Sequence, residues 1–495
     1  MRRYFFVVIL AFFALTCMTV VQVSAASLPD LASEGQYDKI KEMIPTVSDI
    51  DQTDRDGRTV LHWMAMTIPE QPELVTMLLE NGADVSARTR DQNTPLHYAA
   101  ERGALKTMEI LLSKGADISA KNKSGETPLH RAFYAEVKNP KVVTYLLEKG
   151  ADVNTQNSSG ETPFMIVNRT EPYNTEMIVA LFAAKPDVNI QDVNGVTALM
   201  HSIKLIRSSW QIPASMLNIP GIDVNLVDKD GRTALHYAVI TNIDGNDQIV
   251  RVLINKGANV NVQDKRGKTP LLQALEEGNR MKCVAELLHG KADPKLADKE
   301  GNTPLYAALS TKDLGLLDAL IERGADVNAQ VRGFGSVISL AANNYPGIFE
   351  FLLKKGTVDL EQRHPNSEDR TILLLAVANS SASQTEMLLE AGANVNAVDK
   401  NGRTALHILA RGSSNKEKEK IAKLLLAKKP NVNVQDEDGW TPIFHAASRV
   451  NVPMVELLYA NEADLKIVDK KNQTVVDVAK KTRDSEQILK ILEGK

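Results

Sequence analysis

Beyond residue 27 the apolar positions come in short bursts at helical spacing, and polar segments separate them. Leu31, Ile40 and Ile44 form the first burst, and later ones carry the pairs Leu78-Leu79, Leu111-Leu112, Leu287-Leu288 and Leu388-Leu389. The bursts are too short for long helices and have the wrong period for strands, so they predict brief, one-sided helices. Gly82, Gly115, Gly150, Gly257, Gly324 and Gly392 stand where such helices would end in a left-handed stop. A polar stretch rich in Asp and Asn follows and closes on Asp56-Gly57, Asp230-Gly231 or Asn401-Gly402, dipeptides suited to a tight hairpin turn. The predicted unit is a helix, a short turn, an antiparallel helix and a projecting finger.

That unit is written thirteen times. Its clearest starts read Thr94-Pro95-Leu96-His97-Tyr98-Ala99-Ala100 and Thr127-Pro128-Leu129-His130. Equivalent starts stand at Thr59, Thr162, Thr197, Thr233, Thr269, Thr303, Ser336, Thr371, Thr404, Thr441 and Thr474, always 33 to 37 residues apart. A fixed period of this size is the mark of stacked supersecondary units. With the exit Gly150-Ala151-Asp152-Val153-Asn154, these residues closely resemble the ankyrin repeat family over roughly residues 27–495. The resemblance implies an all-α repeat solenoid, stacked helix-turn-helix units with short β-hairpin fingers.

The signature residues have physical roles. Thr before Pro suits a helix N-cap with Pro in the first helical turn. Leu96 and its equivalents face the core, and Ala99 and Ala100 are small enough for a neighbouring helix to approach closely. One unit cannot bury its own apolar faces, so stability comes from nearest-neighbour stacking. A length of 495 residues suggests about three domains by size alone, but the repetition overrides that. The expected organisation is a signal segment at 1–25, an N-terminal capping unit at 26–53, a repeat stack at 54–473 and a C-terminal capping repeat at 474–495. At ~8 to 10 Å between packed helices, thirteen units would make a curved rod.

Imperfect copies mark special places. Ser336-Val337-Ile338-Ser339 lacks the Pro and the His, and Asp369 stands where a finger Gly is expected, so a soft joint is expected near residues 331–371. Lys185-Pro186 and Lys429-Pro430 replace the helix-stop Gly-Ala. Residues 208–213 and 412–420 are expected to form modified loops, the second with the solvated helix start Lys416-Glu417-Lys418-Glu419-Lys420.

The N-terminus reads as an address. Arg2 and Arg3 precede an apolar run from Tyr4 to Leu15, and Val23-Ser24-Ala25 offers small residues for cleavage after Ala25, with Ala26 as second choice. An uncleaved anchor over residues 4–21 and lipid attachment at Cys17 are the alternatives; Ala14-Leu15-Thr16 fits a lipoprotein box poorly. Cleavage would remove two Arg and Cys17, taking the net charge from -4 to -6 and leaving Cys283 without an intramolecular partner. Cys283 lies on a helical pattern and reads as a buried small hydrophobe.

Candidate chemistry is sparse. His62, His97, His130, His236 and His407 occupy the fourth place of the signature. The resemblance implies that imidazole and Thr hydroxyl hydrogen-bond between neighbouring units. Successive copies lie too far apart to share a zinc ion. His201 and His445 fall one place later, which leaves their partners open. Gly267-Lys268-Thr269 imitates the end of a phosphate loop, but Val262 stands where its first Gly belongs. No catalytic, metal or cofactor constellation emerges. A net charge of -4 and 5% aromatic residues argue against a nucleic-acid partner, and no small-molecule substrate is indicated.

What remains is surface. By resemblance, finger tips and first helices bind protein partners along the concave side. The tip residues are Arg55, Asp56 and Arg58; Lys229, Asp230 and Arg232; Lys265, Arg266 and Lys268; Lys400 and Arg403; and Glu437, Asp438 and Trp440. The stretch from Lys229 to Lys268 is locally basic and would suit an acidic patch on a partner. Trp440 beside a turn Gly is expected to have little to pack against, as an interface anchor would. The expected function is a non-catalytic, exported scaffold for protein-protein interaction, periplasmic or secreted. A host-directed effector is the alternative, and membrane contact enters only if the leader stays uncleaved.

Overall fold

A computed structural model describes residues 27–494, except 135–138, 168–174, 205–210, 242–244, 279, 332–334 and 365–366. The signal segment expected at 1–25 therefore lies outside the described residues. The chain falls into two compact units, Met1–Gly245 and Asn246–Lys495. The division comes inside one repeat, between helices Ala234–Ile240 and Asn246–Asn255. Each unit is a stack of short helix pairs.

The repeat at Thr94 shows how sequence makes the pair. Thr94 is extended and caps helix Pro95–Arg102, with Pro95 in the first turn and Gly103 closing the helix in the left-handed region. A second helix, Leu105–Ser113, follows after one turn. Leu96 and Leu111 are fully buried, as are Leu129 and Leu146 one repeat later. First helices pack on first helices, Val60–Met66 on Pro95–Arg102 on Pro128–Arg131, and second helices likewise on second helices. The signature alanines Ala99 and Ala100 are buried at these crossings.

The fingers are hairpins of minimal length. At the first, the Asp54 amide donates to the Arg58 carbonyl at 2.9 Å and the Gly57 amide to the Asp54 carbonyl at 3.0 Å. Gly57 has φ 78°, a tight turn closed by a left-handed residue. The finger's leading acid caps its own turn: Asp54 Oδ1 accepts from the amides of Asp56 and Arg58, both at 2.8 Å. Among the described residues a two-stranded ladder pairs Gln330–Val331 with Gly335–Ser336, and single antiparallel bridges join Gln191 to Thr197, His364 to Arg370 and Val468 to Thr474.

Most fingers place glycine at the turn, where it serves space as well as φ, although Gln92, Asp369 and Asn472 take that place at φ 63°, 60° and 57°. A Cβ on Gly160 would sit 2.7 Å from the Val193 amide of the next finger. The helix stops are more permissive. Lys185, Lys291, Lys429 and Glu462 adopt positive φ (52–65°) at that place, where nothing crowds a side chain around Gly82 or Gly115.

One sequence expectation is adjusted, and another is met in its expected helix start. Gln211 to Pro213 begin a helix, Gln211–Met216, rather than completing a loop; residues 208–210 lie outside the described set. Lys416 to Ala427 is a helix capped by Asn415, whose side chain accepts from the Lys418 amide at 2.9 Å, so loop geometry is confined to 412–415.

Candidate interaction surface

The signature histidine is a fastener between repeats. In the Thr59 repeat the backbone amide of Thr59 donates to His62 Nδ1 at 3.1 Å, which places the ring proton on Nε2. Nε2 then donates to the Asn93 carbonyl of the next finger at 3.0 Å. The same bridge joins His97 to the Glu126 carbonyl at 3.0 Å, His130 to Glu161 at 3.2 Å and His407 to Trp440 at 2.9 Å. Burial pushes His62, His97 and His407 down to about 4 and lowers His130 as well. Neutral, buried and doubly engaged rings have no capacity left for a metal or a proton-transfer step. Among the described residues no cluster of three or more His, Cys, Asp or Glu could hold a metal. Cys283 is buried, and burial raises its thiol to about 11, which makes it a poor nucleophile.

His201 and His445 find a different partner. Each lies nine residues after the leading acid of its finger and bonds that carboxylate: His201 Nε2 to Asp192 Oδ2 at 2.9 Å, His445 Nε2 to Asp436 Oδ2 at 2.7 Å. Trp63 does the same to Asp54 at 3.1 Å and Tyr237 to Asp228 at 2.6 Å. Four side chains of three kinds, imidazole, indole and phenol, thus latch the finger to the first helix. Burial alone would raise the Asp436 carboxyl, but the His445 bond and backbone amides hold it below the usual range.

Backbone bonds run from finger to finger. Arg90 donates to the Asp56 carbonyl at 2.9 Å, Lys123 to Asp91 at 2.9 Å and Lys299 to Arg266 at 2.9 Å. The exit Asn extends the ladder: Asn189 Oδ1 accepts from the Asp223 amide at 2.8 Å, and Asn433 Oδ1 from the Asp464 amide at 2.8 Å. The tips are therefore a fixed platform, and only their side chains are available to a partner.

The structure divides the expected tip residues by position. Arg55, Asp56, Lys229, Asp230, Lys265, Arg266 and Lys400 are exposed. The cation just after the turn Gly instead folds back. Arg58 is 3.1 Å from Asp56 and stacks over Trp63 at 5.4 Å; Arg232 is 3.6 Å from Asp230; Arg403 lies 4.0 Å from Asp436. Lys268 pairs with Glu276. A residue leaving the turn thus lies beside a carboxylate of its own finger, its own helix or the next finger, and these four are not open tip residues. Lys229, Asp230 and Arg232 belong to the first unit, whereas Lys265, Arg266 and Lys268 belong to the second. Trp440 is likewise not bare: its ring lies 4.9 Å from His445 and 6.0 Å from Phe444, and its Nε1 donates to Asp469 at 3.2 Å. The next finger and the helix beneath supply the packing that its turn position concealed.

Two clefts on the face made by fingers and first helices were not apparent from sequence. In the first unit a cleft of about 410 Å³ is lined by Tyr98, Glu101, Lys123 and Arg131 among others. Its interior charges are spent on each other: Arg131 pairs with Glu101 and lies 3.2 Å from Glu126. In the second unit a cleft of about 490 Å³ lies between Tyr306 and Tyr345 over Ala307 and Leu340. The signal that could have located both is the place just after the signature His, which holds Tyr98, Arg131, Ala307 and Leu340 in successive or neighbouring repeats.

Comparison with known proteins agrees with this architecture. A family model described as ankyrin repeats (3 copies) matches residues 28–122, 70–157, 129–210, 164–264, 212–298, 242–331 and 337–436. A second, ankyrin repeats (many copies), matches 425–479. Among relatives, the mouse B-cell lymphoma 3 protein homolog is 34% identical over 182 residues, 36% of this chain and 38% of that protein. The mouse nuclear factor NF-kappa-B p105 subunit is 36% identical over 146 residues, 28% of this chain and 14% of its own length. Mouse protein phosphatase 1 regulatory subunit 12A is 39% identical over 80 residues, 16% of this chain and 7% of its own. The chain thus spans well under half of each of these relatives.

Proposed function

The chain belongs to the ankyrin repeat family, and from that premise we propose that it is an exported, non-catalytic scaffold that holds a protein partner on its finger tips and first helices. The observation that carries this reading is the division of labour in the fingers. Their backbones are consumed by the ladder, while Arg55, Lys229, Lys265, Arg266 and Lys400 project exposed side chains at repeat spacing. Rigid presentation of such side chains suits recognition, since little entropy is lost on docking. Lys265 and Arg266, adjacent and exposed, favour an acidic patch on the partner. The leader with Ala25 as its last residue supports delivery to the periplasm or beyond. No helix among the described residues is long and apolar enough to cross a membrane.

The test is affinity capture from an extracytoplasmic fraction with residues 26–495 as bait, beside a Lys265→Glu/Arg266→Glu bait and a Lys268→Glu bait. Loss of the partner with the double variant alone is the expected result, because Lys268 is turned towards Glu276. A partner kept by all three baits would move the site off this finger. Capture only from host-cell extract would favour the effector alternative, and N-terminal sequencing of the secreted chain would test cleavage after Ala25.

A further inference from the structure

The cleft in the second unit exists because of a change in the latch position. Where Tyr237 and His445 reach back to their finger acids, Ala307 offers a methyl group and Leu340 an alkyl chain. Asp298, the leading acid of that finger, is held instead by Asn302 Nδ2 at 2.9 Å. The helix beneath is short, Pro304–Ala308, and passes into a single 3-10 turn ending at Lys312 with φ 57°. A basin of about 490 Å³ is left with Ala307, Leu309 and Leu340 as its floor and Tyr306 and Tyr345 as its walls. Its one acid, Glu276, is paired with Lys268. A second basin of about 260 Å³ shares Asn344 and Tyr345 with the first and is lined by Leu314, Ile348 and Lys312. Leu314 is 43% exposed, an uncommon state for a large apolar side chain at a helix start, and Lys312 is exposed with no acid beside it in the basin.

We infer that these adjacent basins seat an extended segment of the protein partner, with an uncharged aromatic side chain between Tyr306 and Tyr345 and a carboxylate against Lys312. The larger basin has the volume of a small-ligand site. Apart from the paired Glu276 its lining is uncharged, which penalises a charged occupant whose water of hydration it could not replace. Two Tyr walls suit edge or offset packing with an aromatic ring. The Asn302 and Asn344 amides at the rim can meet the backbone polar groups of an extended chain. Lys312 supplies the charge complement in the smaller basin. The inference rests on the scaffold reading and gives one segment of its partner a chemistry.

The experiment is selection of random peptides displayed on phage against residues 26–495, repeated on Ala307→Trp and on Lys312→Glu. Circular dichroism of each variant checks that the stack is intact. Both substitutions are on the open face, where Ala307 is half-buried and Lys312 exposed. The wild-type chain is expected to enrich peptides pairing an aromatic residue with a nearby Asp or Glu. Ala307→Trp fills the basin and should weaken the best of them about tenfold or more, a typical hot-spot loss. Lys312→Glu should exchange the acid for Lys or Arg in the selected sequences. Peptides that bind Ala307→Trp undiminished, or that keep their acid on Lys312→Glu, overturn the inference. So does the absence of any enriched peptide, or binding of the neutral oligosaccharide maltotriose in place of peptides. A partner captured through Lys265 and Arg266 yet indifferent to Ala307→Trp leaves the scaffold standing and removes this cleft from it.

Discussion

The repeats starting at Thr94 and Thr127 differ from those starting at Ser336 and Thr371 in how each is tied to its neighbours. In the first pair a buried imidazole joins its own cap to the carbonyl of the next finger. At Ser336 the imidazole is replaced by Ser339, whose hydroxyl stays within the repeat, 3.0 Å from the Ser336 hydroxyl. At Thr371 the fourth residue is Leu374, and the Thr371 hydroxyl is buried without a partner. The finger before it has Glu368 and Asp369 at φ 54° and 60°, where the finger before Thr94 has Gln92 alone at 63°, a conformation that L residues with a Cβ adopt at a cost. Apolar burial is the same in both regions: Leu129 and Leu373 are each 0 to 1% exposed. Stacking therefore needs the core everywhere, while the polar ties between repeats can be dropped one at a time. The clefts differ in the same way: several charged side chains line the one in the regular region, whereas Glu276 is the one charged residue lining the one beside the irregular region.

The comparison can be broken first at the core. Leu146→Ala removes a fully buried side chain and should cost about 2 to 5 kcal/mol, read as a lower denaturant midpoint, while binding at Lys265 and Arg266 persists. Leu352→Ala, equally buried in the irregular region, should lie at the lower end of that range, because fewer polar ties couple its loss to the neighbouring repeats. Equal costs would show that the imidazole bridges add nothing to coupling.

Acid should act next, and on one region only. His62, His97 and His407 titrate near 4 when folded and near 6.5 when unfolded. The unfolded chain then binds more protons between those limits, so stability is complete above pH 6.5 and falls as pH drops towards 4. The slope for each ring is at most about 1.4 kcal/mol per pH unit. Hydrogen exchange at pH 7 and pH 5 should show protection lost around residues 59–131 and 404–440. Residues 336–378, without a signature His, should be the less protected at pH 7 and change least.

Exchanging the signature residue itself sharpens the contrast. His97→Leu leaves the Thr94 amide and the Glu126 carbonyl without their partner and should cost about 1 to 3 kcal/mol in a thermal or denaturant melt. Leu374→His offers the orphaned Thr371 hydroxyl a partner and should cost less than His97→Leu, despite entering a fully buried site. The smallest expected effect is Asp369→Gly, which relieves the left-handed backbone and should raise stability by about 1 kcal/mol. A destabilising result there would mean that the Asp369 side chain matters more than its backbone, for instance through Arg363, 3.6 Å away.

Much of the fold was legible because each repeat is local. The Thr cap, the Pro in the first turn, the buried Leu pairs and the finger turns all follow from residues within one period. Even the bonding role of the signature histidines was implied by the likeness of these units to the repeat family. The site was legible only in part. Lys265, Arg266 and Lys400 are exposed as expected, but Arg58, Arg232, Lys268 and Arg403 turn back to acids of their own or adjoining repeats, which a list of turn-flanking residues cannot reveal. His201 and His445 looked displaced until Asp192 and Asp436 were seen nine residues away in the folded latch.

By itself the sequence determined the repeat, its period, its helices and its core, since these depend on spacing within some thirty-odd residues. Tertiary structure decided which charges are spent and which are free, and it gave Trp440 a bed on His445 and Phe444. It also decided where clefts open, because the two larger clefts are spaces left by side chains from three repeats at once. Glu276, Tyr306 and Tyr345 belong to three successive repeats and meet around one basin. No pattern within a single period contains that meeting.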